Sequence, residues 1–66
     1  MKIDYDPKAD AMYVRLAAGE VVDSDEVWPG MVLDFDGHGR VLGIEMLDAS
    51  SCIDNPRELD FRMLVS

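Results

Sequence analysis

Apolar and polar residues alternate along most of this chain. In Lys2-Ile3-Asp4-Tyr5-Asp6, Ile3 and Tyr5 fall on one face, with the three charged residues on the other. That period of two is the mark of a half-buried strand. Asp6 and Pro7 then offer a cap and a first-turn proline, which predicts a single helical turn. Ala11 to Leu16 resumes the alternation, with Met12, Val14 and Leu16 inward and Tyr13 and Arg15 outward, until Gly19 breaks it. The next run, residues 20–28, is the weakest strand, and its charges suit an edge that must not pair with a neighbour. Pro29-Gly30 is a turn signal of type II character. Such turns match hairpin twist poorly. A two-residue hairpin there would also set Asp25 opposite Asp34, an unfavourable like-charge pair. The stretch therefore predicts a corner or a wider connection.

Met31, Leu33 and Phe35 share one face of the following run, and Leu42, Ile44 and Met46 share one face of the run after it. A two-residue loop at Gly37-His38 pairs Phe35 with Arg40, Leu33 with Leu42 and Met31 with Ile44. The two apolar faces then coincide, and a one-residue slip would separate them. Residues 48–56 read as a short helix or loop, with Asp48 a candidate cap. Asn55-Pro56-Arg57-Glu58 has the form of a capping box. Yet Leu59, Phe61, Met63 and Val65 alternate strictly, which predicts a closing strand instead. The fold expected is α+β and mainly antiparallel β: one small domain over residues 1–66, a single sheet of about six short strands, and one or two helical turns. No linker, repeat or low-complexity tract divides it.

At 66 residues, a chain buries only about 60% of the surface its unfolded form exposes, so the core is thin. Domains this small usually need a staple. One cysteine, Cys52, excludes an internal disulfide, and one histidine, His38, leaves no structural zinc set. Oligomerisation remains, so a homodimer is expected. The terminal strand with Phe61 and Met63 is the candidate seam, because terminal strands lie at open edges. The 14 acidic against 6 basic residues give a formal charge of −8. That balance excludes nucleic acid, which is bound by neutralising phosphates, and an anionic membrane surface. It points to solubility or to a basic protein partner. No apolar run approaches a membrane span and the start is no signal peptide, so a cytoplasmic location is expected.

Candidate chemistry is sparse. Asp34, Asp36, Gly39 and Glu45 fall at the first, third, sixth and twelfth places of a calcium-binding loop. Such a loop needs helices on both sides, whereas both flanks here alternate as strands. In the two-residue hairpin Glu45 would also lie about 13 Å along the strand from Asp34, too far for a shared ion. Two carboxylates and an imidazole at Asp34, Asp36 and His38 form a weaker transition-metal candidate, against the alternative of a solvated turn. No triad, phosphate-cradling loop or paired-cysteine motif is present, and no cofactor is expected. Tyr5 and Trp28 are assigned to the core. Tyr13 and Arg15, with Asp23, Asp25 and Glu26 on the acidic edge, are the candidate partner-binding residues, because an aromatic anchor adds what charge alone does not. The reading is a non-enzymatic binding module. A small enzyme or metal protein using Asp34, Asp36 and His38, and a purely structural homo-oligomer, are the alternatives.

Two separated blocks carry a family resemblance. The first is Tyr5-Asp6-Pro7-Lys8-Ala9-Asp10-Ala11. The second runs from the Asp36-Gly37 turn to Gly43-Ile44-Glu45-Met46-Leu47-Asp48-Ala49-Ser50. Over residues 2 to about 50 the chain resembles the bacterial domain of unknown function 2283 family. That family has no established activity or catalytic residues to carry over. Some members are encoded beside small toxin-like proteins, so the resemblance implies an antitoxin-like or partner-binding role.

Overall fold

The structure is a computed structural model and describes residues 1–65. It contains five strands: β1 (Lys2–Asp6), β2 (Ala11–Arg15), β3 (Asp23–Trp28), β4 (Met31–Phe35) and β5 (Val41–Met46). A single helical turn follows, α1 (Ala49–Cys52). The strands form one sheet in the order β1-β2-β5-β4-β3, with every neighbouring pair antiparallel. Strands β3, β4 and β5 are a meander, and β2 lies beside β5, which is Greek-key connectivity. The mainly antiparallel class stands. The strand count is five, one fewer than expected.

The pairings align side chains into rows across the sheet. On one face run Ile3, Val14, Ile44, Leu33 and Asp25, and beside them Tyr5, Met12, Met46, Met31 and Trp28. On the other face run Lys2, Arg15, Gly43, Asp34 and Ser24, and beside them Asp4, Tyr13, Glu45, Val32 and Glu26. The alternation in the sequence thus separates an apolar face from a polar one.

Three expectations are corrected. The β4–β5 hairpin places Leu33 opposite Ile44 and Met31 opposite Met46, two residues away from the predicted register. A three-residue loop causes the shift. Gly39 takes φ +80, a conformation glycine accepts without steric cost, and Asp36 N–H bonds the Arg40 carbonyl at 3.0 Å. An irregularity beside Phe35, which faces Val41, then leaves Leu42 as the extra residue. An even shift preserves the faces, so the apolar sides still coincide.

Pro29-Gly30 closes a tight β3–β4 hairpin after all, with Trp28 opposite Met31 and Gly30 at φ +83. A bulge at Val27 absorbs the mismatch, since bulges add local twist. It also moves Ser24 opposite Asp34 and Asp25 opposite Leu33, which removes the like-charge pair. Third, residues 59–65 carry no regular structure, and Phe61 is 79% exposed. Asn55 Oδ1 accepts the Arg57 N–H at 3.1 Å and its Nδ2 donates to Glu58 Oε2 at 3.2 Å, but around a turn and not a helix, and without the reciprocal backbone bonds of a capping box. Alternation decides which face a strand would show, but a strand also needs an edge to pair with.

The core is small. Leu42 is the one large side chain with no exposed surface among the described residues, accompanied by Met12 and Ala49. The 16–22 connection seals Leu42: Leu16 and Ala17 N–H groups both bond its carbonyl, at 2.8 and 3.2 Å. A Cβ on Gly19 would stand 3.1 Å from its Cδ2.

Candidate functional site

Of the side chains singled out from sequence, Asp34 is the most buried, at 8% exposure. Its carboxylate accepts from the Tyr13 hydroxyl at 3.0 Å on Oδ2 and from the Ser24 hydroxyl at 2.6 Å on Oδ1. Tyr13 stands on β2 and Asp34 on β4, so the ring must cross β5 to make this bond. It does so over Gly43, where a Cβ would run into the hydroxyl and meet Cζ at 2.6 Å. Glycine inside a strand marks such a close approach. The result is a hydrogen-bonded strap over four strands, from β2 across β5 and β4 to β3. Arg15 lies 5.4 Å from the centroid of the Tyr13 ring and covers it with a cation–π contact. Burial, then the bond to Asp34, raises the Tyr13 pKa. The phenol stays protonated and serves as a donor.

Two further carboxylates organise turns. Asp36 Oδ1 accepts the backbone N–H groups of His38 and Arg40 at 2.8 and 2.9 Å, and its Oδ2 accepts from Arg40 Nε at 3.1 Å. This wraps the 36–40 loop around one side chain, the usual Asx device. Asp10 holds a left-handed backbone, φ 52, between β1 and β2. Its carboxylate accepts from Tyr5 at 2.7 Å and from the Ser50 hydroxyl at 2.6 Å, while its carbonyl accepts the Ala49 N–H. The two sequence blocks meet at this contact, which spans forty positions of chain. Asp48, the candidate cap of α1, makes no side-chain capping bond.

Ser50 and then Tyr5 lower the Asp10 pKa, and the Arg40 N–H is the main cause of the lowered Asp36 value. A depressed folded value means that the unfolded chain binds more protons in acid. Each group therefore stabilises the fold fully above its unfolded pKa of about 3.9, and loses that contribution as pH falls through its folded value. Carbon-13 titration of the carboxylates should find Asp10 and Asp36 below that ordinary value. Ordinary midpoints at both positions would contradict these hydrogen bonds.

Asp34, Asp36 and His38 do not gather into a site. The two carboxylates are engaged by different donors, the His38 residue is exposed at the loop, and among the described residues no group of three His, Cys, Asp or Glu could hold a metal ion. Glu45 stands opposite Val32, nearer to Asp34 than the predicted register placed it. The strand flanks, and the donors that Asp34 and Asp36 already accept, still speak against a calcium loop. Cys52 is exposed on α1.

The partner-binding candidates divide between the faces. Tyr13, Arg15 and Glu26 are on the polar face, while Asp23 and Asp25 end rows on the apolar one. Tyr13 and Arg15 are three strand spacings from β3, about 14 Å. All six residues of β3 are exposed. Trp28, assigned to the core from sequence, is 69% exposed at the end of this edge. The bulge at Val27 and the tight turn carry it to the rim. Sequence reasoning also passed over Ser24 and Gly43; a glycine between strand-forming residues was the available signal.

These features define a small single-layer β protein braced across the sheet by side-chain hydrogen bonds to the buried Asp34, with a wholly exposed acidic strand at one edge. The sequence profile of the family described as protein of unknown function DUF2283 matches residues 2–50, and the chain belongs to that family. No curated protein and no solved structure matches it. No helix among the described residues is long and apolar enough to cross a membrane.

Proposed function

We propose that this chain is a non-enzymatic protein-binding module, cytoplasmic and homodimeric, that presents an acidic edge to a basic protein partner. The fully exposed strand β3 carries the reading. It bears Asp23, Asp25 and Glu26 along an open sheet edge and ends in the exposed Trp28. Acidic groups steer a cationic partner, and an exposed tryptophan supplies the anchor that gives interfaces most of their energy. Unpaired edge groups add backbone hydrogen bonds to an extended segment. Tyr13 and Arg15 belong to the polar face that this edge borders. An antitoxin-like role is one form such binding takes.

Affinity capture from a bacterial lysate tests the reading. The native chain should retain basic proteins at low salt and release them as salt rises to physiological strength, where screening sets in beyond about 8 Å. The triple variant Asp23→Asn, Asp25→Asn, Glu26→Gln should lose them, and Trp28→Ala should speed their dissociation. Capture of no basic protein, or equal capture by the triple variant, would reduce the charge to a solubility device.

A further inference from the structure

The apolar face of the sheet is only partly covered. Val14, Ile44, Leu33, Met31 and Met46 form its centre, and every one of them is only half-buried. Ile3 and Trp28 continue the rows outward and are exposed. Among the described residues, cover comes from the 16–22 connection over Leu42 and, at the β1–β2 end, from Ala49 and the buried Pro56 around Met12, with Phe61 beside Ile3. The molecule is correspondingly flat, 18 Å along its shortest axis. Its radius of gyration is 12.9 Å, against about 11 Å for a compact domain of this length. Its accessible surface is 5246 Å², whereas a compact monomer of this mass exposes about 4,200 Å². The exposed 59–65 segment supplies part of this excess of about 1,000 Å² and the apolar face another part; a stable interface takes roughly 800 Å² from each partner.

We infer that a second copy of this chain covers the apolar face, so that two sheets pack face to face into a sandwich with Ile44 and Leu33 at its centre. The inference rests on the homodimer proposed above and assigns its surface. Among charged groups only Asp23 and Asp25 end on these rows, both at the β3 rim, so the centre meets its own image without burying a charge. Face-to-face sheets stand about 10 Å apart and interdigitate their inner side chains. Methionines at Met31 and Met46 adapt readily to such packing. The polar face, with its strap and the Glu26 row, stays outward. The assignment replaces the terminal-strand seam, since residues 59–65 form no strand to pair. Two chains of charge −8 repel each other. Added salt should therefore strengthen this dimer, opposite to its effect on a basic partner.

Methionine oxidation by dilute peroxide, followed by mass spectrometry, tests this on the intact chain. As concentration rises through dimerisation, oxidation of Met31 and Met46 should slow about tenfold by the point at which about a tenth of the chains remain open. Met1 and Met63, 78% and 74% exposed, provide the reference within the same molecule. Ile44→Asp should weaken the dimer on the order of a thousandfold, because it places a charge at the buried centre twice over. A chain that stays monomeric would overturn both this assignment and the homodimer. A dimer in which Met31 and Met46 oxidise as fast as in the monomer, or which survives Ile44→Asp, would overturn the face alone. Protection that does not depend on concentration would mean that the chain covers its own face, and would also overturn it. If Ile44→Asp fails to fold, oxidation of the native chain decides the matter.

Discussion

Truncating Leu42 to alanine should cost about 2–5 kcal/mol, the largest loss from any single side chain in this protein. Leu42 is the one large side chain wholly removed from solvent among the described residues, and the 16–22 connection closes over it. Alanine would leave a cavity roofed by backbone that cannot collapse, because Leu16 and Ala17 remain bonded to the carbonyl of residue 42. A chain of this length holds roughly 3–10 kcal/mol of total stability. The variant should thus melt about 8–40 °C lower, at about 4–8 °C per kcal/mol. Leu33→Ala and Ile44→Ala remove half-buried side chains, and in the monomer they should cost less. His38→Ala, at an exposed loop position, should change stability by under about 0.5 kcal/mol. Thermal denaturation of the four variants checks the order. An equal effect at Leu42 and His38 would contradict the packing described.

The second large effect is expected at Gly43. Replacing a strand glycine by alanine ordinarily gains about 0.5–1 kcal/mol from reduced chain entropy. Here the methyl group would occupy the path of the Tyr13 ring. Tyr13 must swing away, and the carboxylate of Asp34 then loses one of its two hydroxyl partners while staying near full burial. Overpacking costs about 1–3 kcal/mol and an abandoned buried acceptor a similar amount, so Gly43→Ala should destabilise by about 2–4 kcal/mol. Tyr13→Phe, which removes only the hydroxyl, should cost about 1–2 kcal/mol. The pair should be strongly non-additive. In a Tyr13→Ala background the alanine at position 43 meets no ring, and its penalty should vanish. An undiminished penalty in that background would show that the ring does not lie over Gly43.

Much of this architecture was legible in the alternation of side chains. The faces of β1, β2, β4 and β5 follow from it directly, because a period of two survives any even shift of register. The register itself was not legible. It depends on Gly39 adopting positive φ and on an extra residue at Leu42, features that turn composition alone does not locate. The bulge at Val27 escaped for the same reason, and with it the exposure of Trp28. Leu59, Phe61, Met63 and Val65 satisfy a strand pattern without becoming a strand, since pattern does not supply a pairing edge.

The braces were visible only in part. Tyr13 and Asp34 were singled out, one for a partner and one for a metal, and the structure joins them to each other. They lie on strands separated by β5, so only the sheet order brings them together. The Asp10–Ser50 contact likewise spans forty positions of chain. Long-range polar pairs have no periodic signature, whereas the acidic edge, a local run of charge, could be read without a fold.

The inferred dimer would make the sheet a surface that is incomplete in a single chain and completed by a second copy. Sedimentation equilibrium of the intact chain in the micromolar range tests it most directly. The expected result is a species of twice the chain mass, more stable at high salt than at low. A single-chain mass at every concentration and salt would contradict it.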